Sequence, residues 1–338
     1  MDGRASVNGA ADLSAARADF SRIGLGAFVI LVVTYGIQFL LVLLLQLSSA
    51  NLREDPVMIL ILSYVPMYCI AVPAGYFLMR RVPRSPLPQG ELGRGNFFRI
   101  IPICFFLMYG GNLLGSIVNS AISDSLGVPV SNPVEDLIAG SIPLPALFVL
   151  TVILAPIFEE LIFRKLMIDR MNIYGQGTAI VTSALMFGLF HGNFSQFFYA
   201  AALGLVFGYV YTKTGRVRYS IGLHMVVNFW GGIVSGALVT DESVQALMDG
   251  DLDIADISEL SEMITPAVVL FAVYALVTLV LAVAGLVMFF RYRRNISLAP
   301  AELQLPAGSG FKTVWLNAGM ILFVIASAAV MAVSIYGV

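Results

Sequence analysis

The chain has 338 residues, 59% hydrophobic and only 12% charged, with a mean hydropathy of +0.89. A soluble domain carries about a quarter charged residues, so a soluble globular protein is excluded and an all-α polytopic integral membrane protein is expected. The net charge of −2 says nothing about nucleic acid, but with no basic stripe and no zinc-knuckle spacing none is expected as a partner.

Residues 1–21 are small and polar, without the short apolar core and cleavage site of a secretory signal, so the first apolar run is read as an uncleaved anchor. Nine runs reach the length of a spanning helix, at roughly 22–48, 57–80, 98–122, 142–168, 178–192, 195–213, 219–240, 266–290 and 313–336. The fifth and sixth are short, are parted only by Gly192 and Asn193, and read equally as one re-entrant hairpin. With the N-terminus inside, nine spans place 18 of the 19 Lys and Arg residues on the inner side and only Arg53 outside. That asymmetry supports about nine transmembrane helices, N-in and C-out, in the cell membrane. The organisation is then a polar segment (1–21), accessory helices (22–122), a core (142–240) and C-terminal helices (266–338).

The connections carry weaker signals. Residues 241–262 hold Asp241, Glu242, Asp249, Asp251, Asp253, Asp256, Glu259 and Glu262 and no basic residue. Asp249-Gly-Asp-Leu-Asp253 lacks the closing Glu of a calcium loop and reads as a solvated acidic turn. The stretch 123–141, with Pro129 and Pro133, reads as irregular. Cys69 and Cys104 each lie in an apolar run and read as buried small residues, not as a disulfide framework or a metal site. No internal repeat stands out, which weighs against a transporter.

Few polar groups lie at bilayer depth. They are Glu159, Glu160 and Arg164 in the fourth run, His191 in the fifth, and His224 and Asn228 in the seventh. Ionisable groups there are expensive and usually functional. At 1.5 Å per residue, Glu159 lies about 15 Å from the inner end, His191 about 20 Å, His224 about 9 Å and Asn228 about 15 Å. These depths agree within one slab near the midplane, which argues for a single site. Spacing by four puts Glu160 with Arg164, and His224 with Asn228, on shared faces. Glu159 is turned about 100° from Glu160 and is free to face the histidines. Burial in an apolar cavity makes a carboxylate a stronger base. In the third run Asn112, Ser116 and Asn119 form a polar stripe read as packing glue or a cavity wall. Phe194, Phe197, Phe198 and Tyr199 read as an interfacial belt.

Glu159-Glu160-x-x-x-Arg164, then Phe187-x-x-x-His191, then His224-x-x-x-Asn228, resembles the three-motif signature of the CAAX-protease and bacteriocin-processing-enzyme (CPBP, or Abi) family of intramembrane endopeptidases. The resemblance covers about residues 142–240. It implies that Glu159 activates a water, that His191 helps to hold it, and that Glu160 and Arg164 support the site. It further implies that His224 and Asn228 stabilise the oxyanion, and it places the catalytic cavity among spans four to seven. The substrate it implies is a peptide or membrane-anchored protein, of which a prenylated CAAX protein is one candidate. No cofactor is favoured. A zinc-dependent version would draw on Glu159, His191 and His224, since a catalytic zinc wants three protein ligands, but no His-Glu-x-x-His is present. The rivals are a scaffold or bacteriocin-immunity protein that binds without cleaving, and a proton-coupled transporter.

Overall fold

The structure, a computed structural model, describes residues 12–47, 56–130, 132–133, 142–249 and 264–336. Arg4, Arg53, Asp251, Asp253, Asp256, Glu259, Glu262 and most of the 131–141 connection lie outside the described residues. Among the described residues every regular element is a helix. A bilayer offers the backbone no hydrogen-bond partner, so each apolar run must pair its own peptide groups.

In chain order the helices are α1 (Leu13–Leu47), α2 (three consecutive stretches, Pro56–Pro66, Met67–Ala71 and Val72–Met79) and α3 (Arg94–Leu126). Then come α4 (Leu144–Tyr174), α5 (Gln176–Phe190), α6 (Phe194–Thr214) and α7 (Val217–Val239). The chain closes with α8 (Glu242–Asp249), α9 (Pro266–Tyr292), α10 (Gly310–Trp315) and α11 (Ala318–Ser334). Each of the nine apolar runs contains a helix. Among the described residues six helices are long and apolar enough to cross a membrane, and three apolar helices, Tyr64–Met79, Gln176–Phe190 and Ala318–Ser334, are shorter. The chain is thus a polytopic, multi-pass integral membrane protein whose surroundings are a lipid bilayer.

The core segment α4–α7 is held between two groups of helices. α1 packs on α2 and α11, and α3 packs on α6 and α9. One buried apolar cluster joins Phe20 and Ile23 of α1 to Phe163 and Met167 of α4, Phe187 of α5, Tyr211 of α6 and Phe323 of α11. The second joins Cys104, Phe105 and Met108 of α3 to Leu203 and Phe207 of α6 and Leu223 and Val227 of α7. In α9 only Thr278 and Gly285 are buried, so the helix packs on α3 along one narrow face and leaves much of its surface open.

Four expectations need correction. First, the polar segment does not end at residue 21. α1 begins at Leu13, with Asp19 accepting a 2.8 Å hydrogen bond from Tyr174 and Phe20 fully buried against it. A hydropathy window misses this start because its polar residues meet protein, not lipid. Second, Asn112 and Ser116 are exposed, and only Asn119 bonds a neighbour, donating to Ser195 Oγ at 2.8 Å. The packing face of α3 is Cys104, Met108, Gly111 and Gly115. A Cβ on Gly111 would come within 2.4 Å of the Tyr199 backbone, so helix contact here depends on the absent side chain. Third, Cys69 is exposed while Cys104 is buried. Lipid is as apolar as a core, so an apolar run does not reveal which way a residue faces. Fourth, Tyr199 is half-buried and accepts from Gln196 Nε2 at 3.0 Å, an inward partner and not a belt position.

Two connectors cross the end of the core that carries Asp169. In the 80–93 connector Ser85 N donates to Asp169 O at 2.6 Å, Gln89 Nε2 to Gly215 O at 2.9 Å, and Glu91 takes Arg216, Arg218 and Tyr219. In the 296–309 connector Ala299 N donates to Gln176 Oε1 at 2.8 Å and Leu303 N to Ile173 O at 3.0 Å.

Candidate active site

The site is built around an irregular helix. α4 is π-helical over Phe148–Leu154, α-helical over Ala155–Glu160 and π-helical again over Leu161–Ile168. Wide turns of this kind concentrate at functional sites. Their local cause is legible. Ala155 N reaches back five residues to Leu150 O, so Pro156 would pair with Thr151 O had it an N–H. The orphaned Thr151 carbonyl instead accepts from Asn228 Nδ2 at 2.8 Å, which ties α7 to α4. α7 itself becomes π-helical immediately after Asn228, over Phe229–Val234.

One turn on, Glu160 and Arg164 are both fully buried, with Arg164 Nε donating to Glu160 Oε2 at 3.1 Å. Arg164 Nη1 donates to Ser183 Oγ at 2.8 Å, and Ser183 Oγ in turn donates to Phe163 O at 2.7 Å. The guanidinium lies over the rings of Phe187 and Phe207, 5.1 and 5.9 Å from their centroids. A buried charge is tolerable only when paired and hydrogen-bonded, and this one is.

His224 joins the two carboxylates. Its Nδ1 is 3.3 Å from Glu160 Oε1 and its Nε2 is 3.7 Å from Glu159 Oε2. The ring stacks on Phe207 at 5.2 Å and meets the edge of Phe187 at 5.8 Å. Because Glu160 holds Arg164 and accepts from Nδ1, the His224 ring is fixed with Nε2 toward Glu159.

His191 enters from the turn between α5 and α6. Its Nδ1 lies 2.8 Å from Phe187 O. A carbonyl only accepts, so Nδ1 carries the hydrogen and Nε2 presents a lone pair. Gly192 follows at φ +67°, a left-handed turn that suits glycine. Asn193 caps α6, accepting from Gln196 N at 2.9 Å and donating to His191 O at 2.8 Å. α5 and α6 are therefore two helices joined by a tight turn, and α5, at about 22 Å, falls short of a full crossing.

The structure brings Glu159, Glu160, Arg164 and His224 into contact, with Phe187 linking His191 to His224 through its ring. Asn228 lies beside them, one turn from His224, on Thr151. Glu160 and Arg164 are sealed, whereas Glu159 keeps 19% of its side chain exposed and His191 is half-buried. The accessible edge is thus Glu159 with His191. Glu159 also acts electrostatically on the phenols of Tyr64, Tyr68 and Tyr199. Among the described residues no three His, Cys, Asp or Glu side chains converge as metal ligands. As placed, Glu159, His191 and His224 do not fit a zinc.

Comparison with known proteins bears on the same segment. Residues 141–230 match the family model described as type II CAAX prenyl endopeptidase Rce1-like. That segment, and not the chain as a whole, is what is similar to the family. It is 24% identical over 158 residues to "Putative membrane peptidase YdiL" of Bacillus subtilis, covering 45% of this chain and 62% of that protein. It is 29% identical over 126 residues to "Membrane-embedded CAAX protease MroQ" of Staphylococcus aureus, covering 35% of this chain and 50% of that protein. The chain thus spans only half to three-fifths of the relatives it matches. No solved structure matches it significantly. The matched segment contains every motif residue, Glu159 through Asn228.

Sequence reasoning missed Ser183, the second anchor of Arg164, and the tyrosines around Glu159. Ser183 sits in an apolar helix without a motif. Tyr68 and Tyr64 belong to α2, far in sequence from the segment that matches the family model. One available signal was proline inside apolar runs, Pro156 and Pro73, each marking a helix that departs from regular winding.

Proposed function

We propose that the protein is an intramembrane endopeptidase that hydrolyses a peptide bond of a membrane-associated protein or peptide. It would sit N-in and C-out across about nine spans in the cell membrane, with its cavity among the fourth to seventh. The observation that carries this reading is the pair of acceptors at the accessible edge. The Glu159 carboxylate and the His191 Nε2 lone pair can each take one hydrogen of a single water, leaving an oxygen lone pair for attack.

The steps follow from these groups. Water oxygen attacks the carbonyl carbon while one of its protons passes to Glu159. The carbonyl oxygen becomes an oxyanion, and His224 and Asn228 are the motif residues positioned to stabilise it. When the intermediate collapses the C–N bond breaks, and Glu159 returns the proton to the departing nitrogen. Glu160, Arg164 and Ser183 hold His224 in place. A general base of this kind contributes about 10²–10⁴-fold. Bound zinc would supply Lewis-acid activation of water, but the poor fit of the three ligands favours a glutamate mechanism without metal. The family model's description and the MroQ name favour a CAAX-type, prenylated substrate over a soluble peptide.

The test uses the full chain in proteoliposomes with a lipidated CAAX reporter and an unlipidated membrane-anchored one. Glu159→Gln is expected to abolish cleavage with the fold intact, and full activity in that variant overturns Glu159 as the base. Exhaustive chelation is expected to leave activity in place, and a loss restored by zinc overturns the metal-free mechanism. A native chain that binds a reporter without cleaving it supports the scaffold instead.

A further inference from the structure

The motif residues leave the oxyanion short of donors. His224 Nδ1 faces the ionised Glu160, so Nε2 can donate only when the ring is doubly protonated. Asn228 spends one of its two Nδ2 hydrogens on Thr151 O. Arg164 Nη2 has no partner, but it is sealed among Phe187, Phe207 and Glu160 and does not reach the accessible edge. Tyr199 OH accepts from Gln196 Nε2, a bond that holds the phenol to its own helix.

One donor remains. The Tyr68 hydroxyl is shielded from solvent and has no hydrogen-bond partner. Its ring stacks on Phe158, the residue before Glu159, with centroids 4.1 Å apart and planes at 18°. Tyr64 lies behind it at 5.8 Å. That stack fixes the second span against the helix that carries the base. Tyr68 also sits inside the π-helical stretch Met67–Ala71, where Val72 N reaches back five residues to Met67 O and Pro73 has no N–H for the next bond. An irregular turn and an unpaired buried O–H are both unfavourable in a purely structural element. Both are accounted for if the hydroxyl is held ready for a group that arrives with substrate.

We propose that Tyr68 is an oxyanion donor of this site, its phenolic O–H hydrogen-bonding the scissile carbonyl oxygen as that oxygen gains charge. No covalent bond to Tyr68 forms. The inference rests on the endopeptidase reading and extends the site to α2, outside the segment that matches the family model.

The experiment compares native protein, Tyr68→Phe, Tyr64→Phe and Glu159→Gln in proteoliposomes with one cleavable reporter. Phenylalanine keeps the stack on Phe158 and removes only the hydroxyl. Tyr68→Phe is expected to lower kcat by about 10²-fold with KM and thermal stability unchanged. It should weaken a phosphinate transition-state analogue by the same factor, while Tyr64→Phe behaves as native. A Tyr68→Phe variant with native kcat, alongside an inactive Glu159→Gln, overturns the Tyr68 proposal alone. A loss that appears in KM or stability, or equally in Tyr64→Phe, overturns it in favour of packing. A Glu159→Gln variant that still cleaves overturns the underlying reading instead.

Discussion

α4 carries two buried carboxylates, each paired with a basic residue four positions away. Glu160 pairs with Arg164, and Asp169 pairs with Lys165 at 3.1 Å. Both carboxylates are fully buried. Their neighbours set them apart. Asp169 also accepts from Tyr211 OH at 2.5 Å and from Arg84 Nη2 at 3.2 Å. Arg170 beside it donates to Met79 O and Leu166 O at 2.9 and 2.8 Å. Both Asp169 oxygens are therefore used. Beside Glu160 stands Glu159, whose one close contact is His224 at 3.7 Å, beyond hydrogen-bond distance. A buried ion pair alone does not mark a reactive site. What marks it is a saturated pair next to a group left under-used.

The widest separation between the two regions comes from removing one carboxylate charge in each. Glu159→Gln should cut cleavage by about 10²–10⁴-fold while the melting temperature in detergent stays native. Asp169→Asn should leave turnover of the folded fraction unchanged. If Asp169→Asn matches Glu159→Gln in lost turnover at equal folding, the division between working and structural charges fails.

The same substitution sharpens the structural side. Breaking a buried pair by removing one partner costs about 3–5 kcal/mol. Arg84 and Lys165 are 51% and 34% exposed and keep part of their hydration. Asp169→Asn is therefore expected to cost nearer 2–3 kcal/mol, read by reversible unfolding in mixed micelles.

Much of this comparison is legible in the sequence, and the unreadable part has a physical cause. The Glu160–Arg164 pair follows from spacing by four, and the approach of His224 to Glu159 follows from agreement in depth. That His224 Nδ1 turns to Glu160 does not follow, because a helical wheel cannot choose between adjacent carboxylates. Asn228 was read only as a donor to substrate, since the Thr151 carbonyl that it satisfies is created by Pro156 in a π-helical turn. Asp169 carries no signal in the sequence, because its partners Arg84 and Tyr211 lie 85 and 42 residues away. Ser183 and Tyr68 carry no periodic signal, and packing between distant spans brings them in. The nine apolar runs were visible in outline because hydropathy depends on lipid contact. Their facing was not, and Asn112, Ser116 and Cys69 were misplaced for that reason.

A smaller effect tests the turn that carries His191. At φ +67°, an added Cβ on Gly192 costs about 1–2 kcal/mol in backbone strain. It would also lie 2.5 Å from Val330 Cγ1 and 3.1 Å from the Tyr35 hydroxyl. Gly192→Ala should therefore displace His191 and lower kcat about 10-fold, with only a modest loss of stability. Native kcat in this variant would show that the turn does not position the imidazole.

The smallest effect separates the connector from the site. Glu91 lies in the 80–93 connector and takes Arg216, Tyr219 and, at 3.1 Å, Arg218 Nη2. The Tyr219 hydrogen bond, with help from the two guanidiniums, holds its carboxyl below the ordinary value of 4.5. A depressed pKa means that the folded state binds the proton less readily than the unfolded chain. The stabilisation is thus complete above pH 4.5 and is lost as pH falls through the lower folded value. Because the group is exposed, the effect on global stability should be slight, and it is best read locally. Amide hydrogen exchange over residues 215–219 should accelerate as native protein is acidified below pH 4.5, whereas Glu91→Gln should show the faster exchange already at neutral pH. Cleavage at neutral pH should be the same in both. A Glu91→Gln variant with impaired cleavage would join the connector to the site, and the closed end at Asp169 would then share in catalysis through α7, which bears Arg218 and His224 six residues apart.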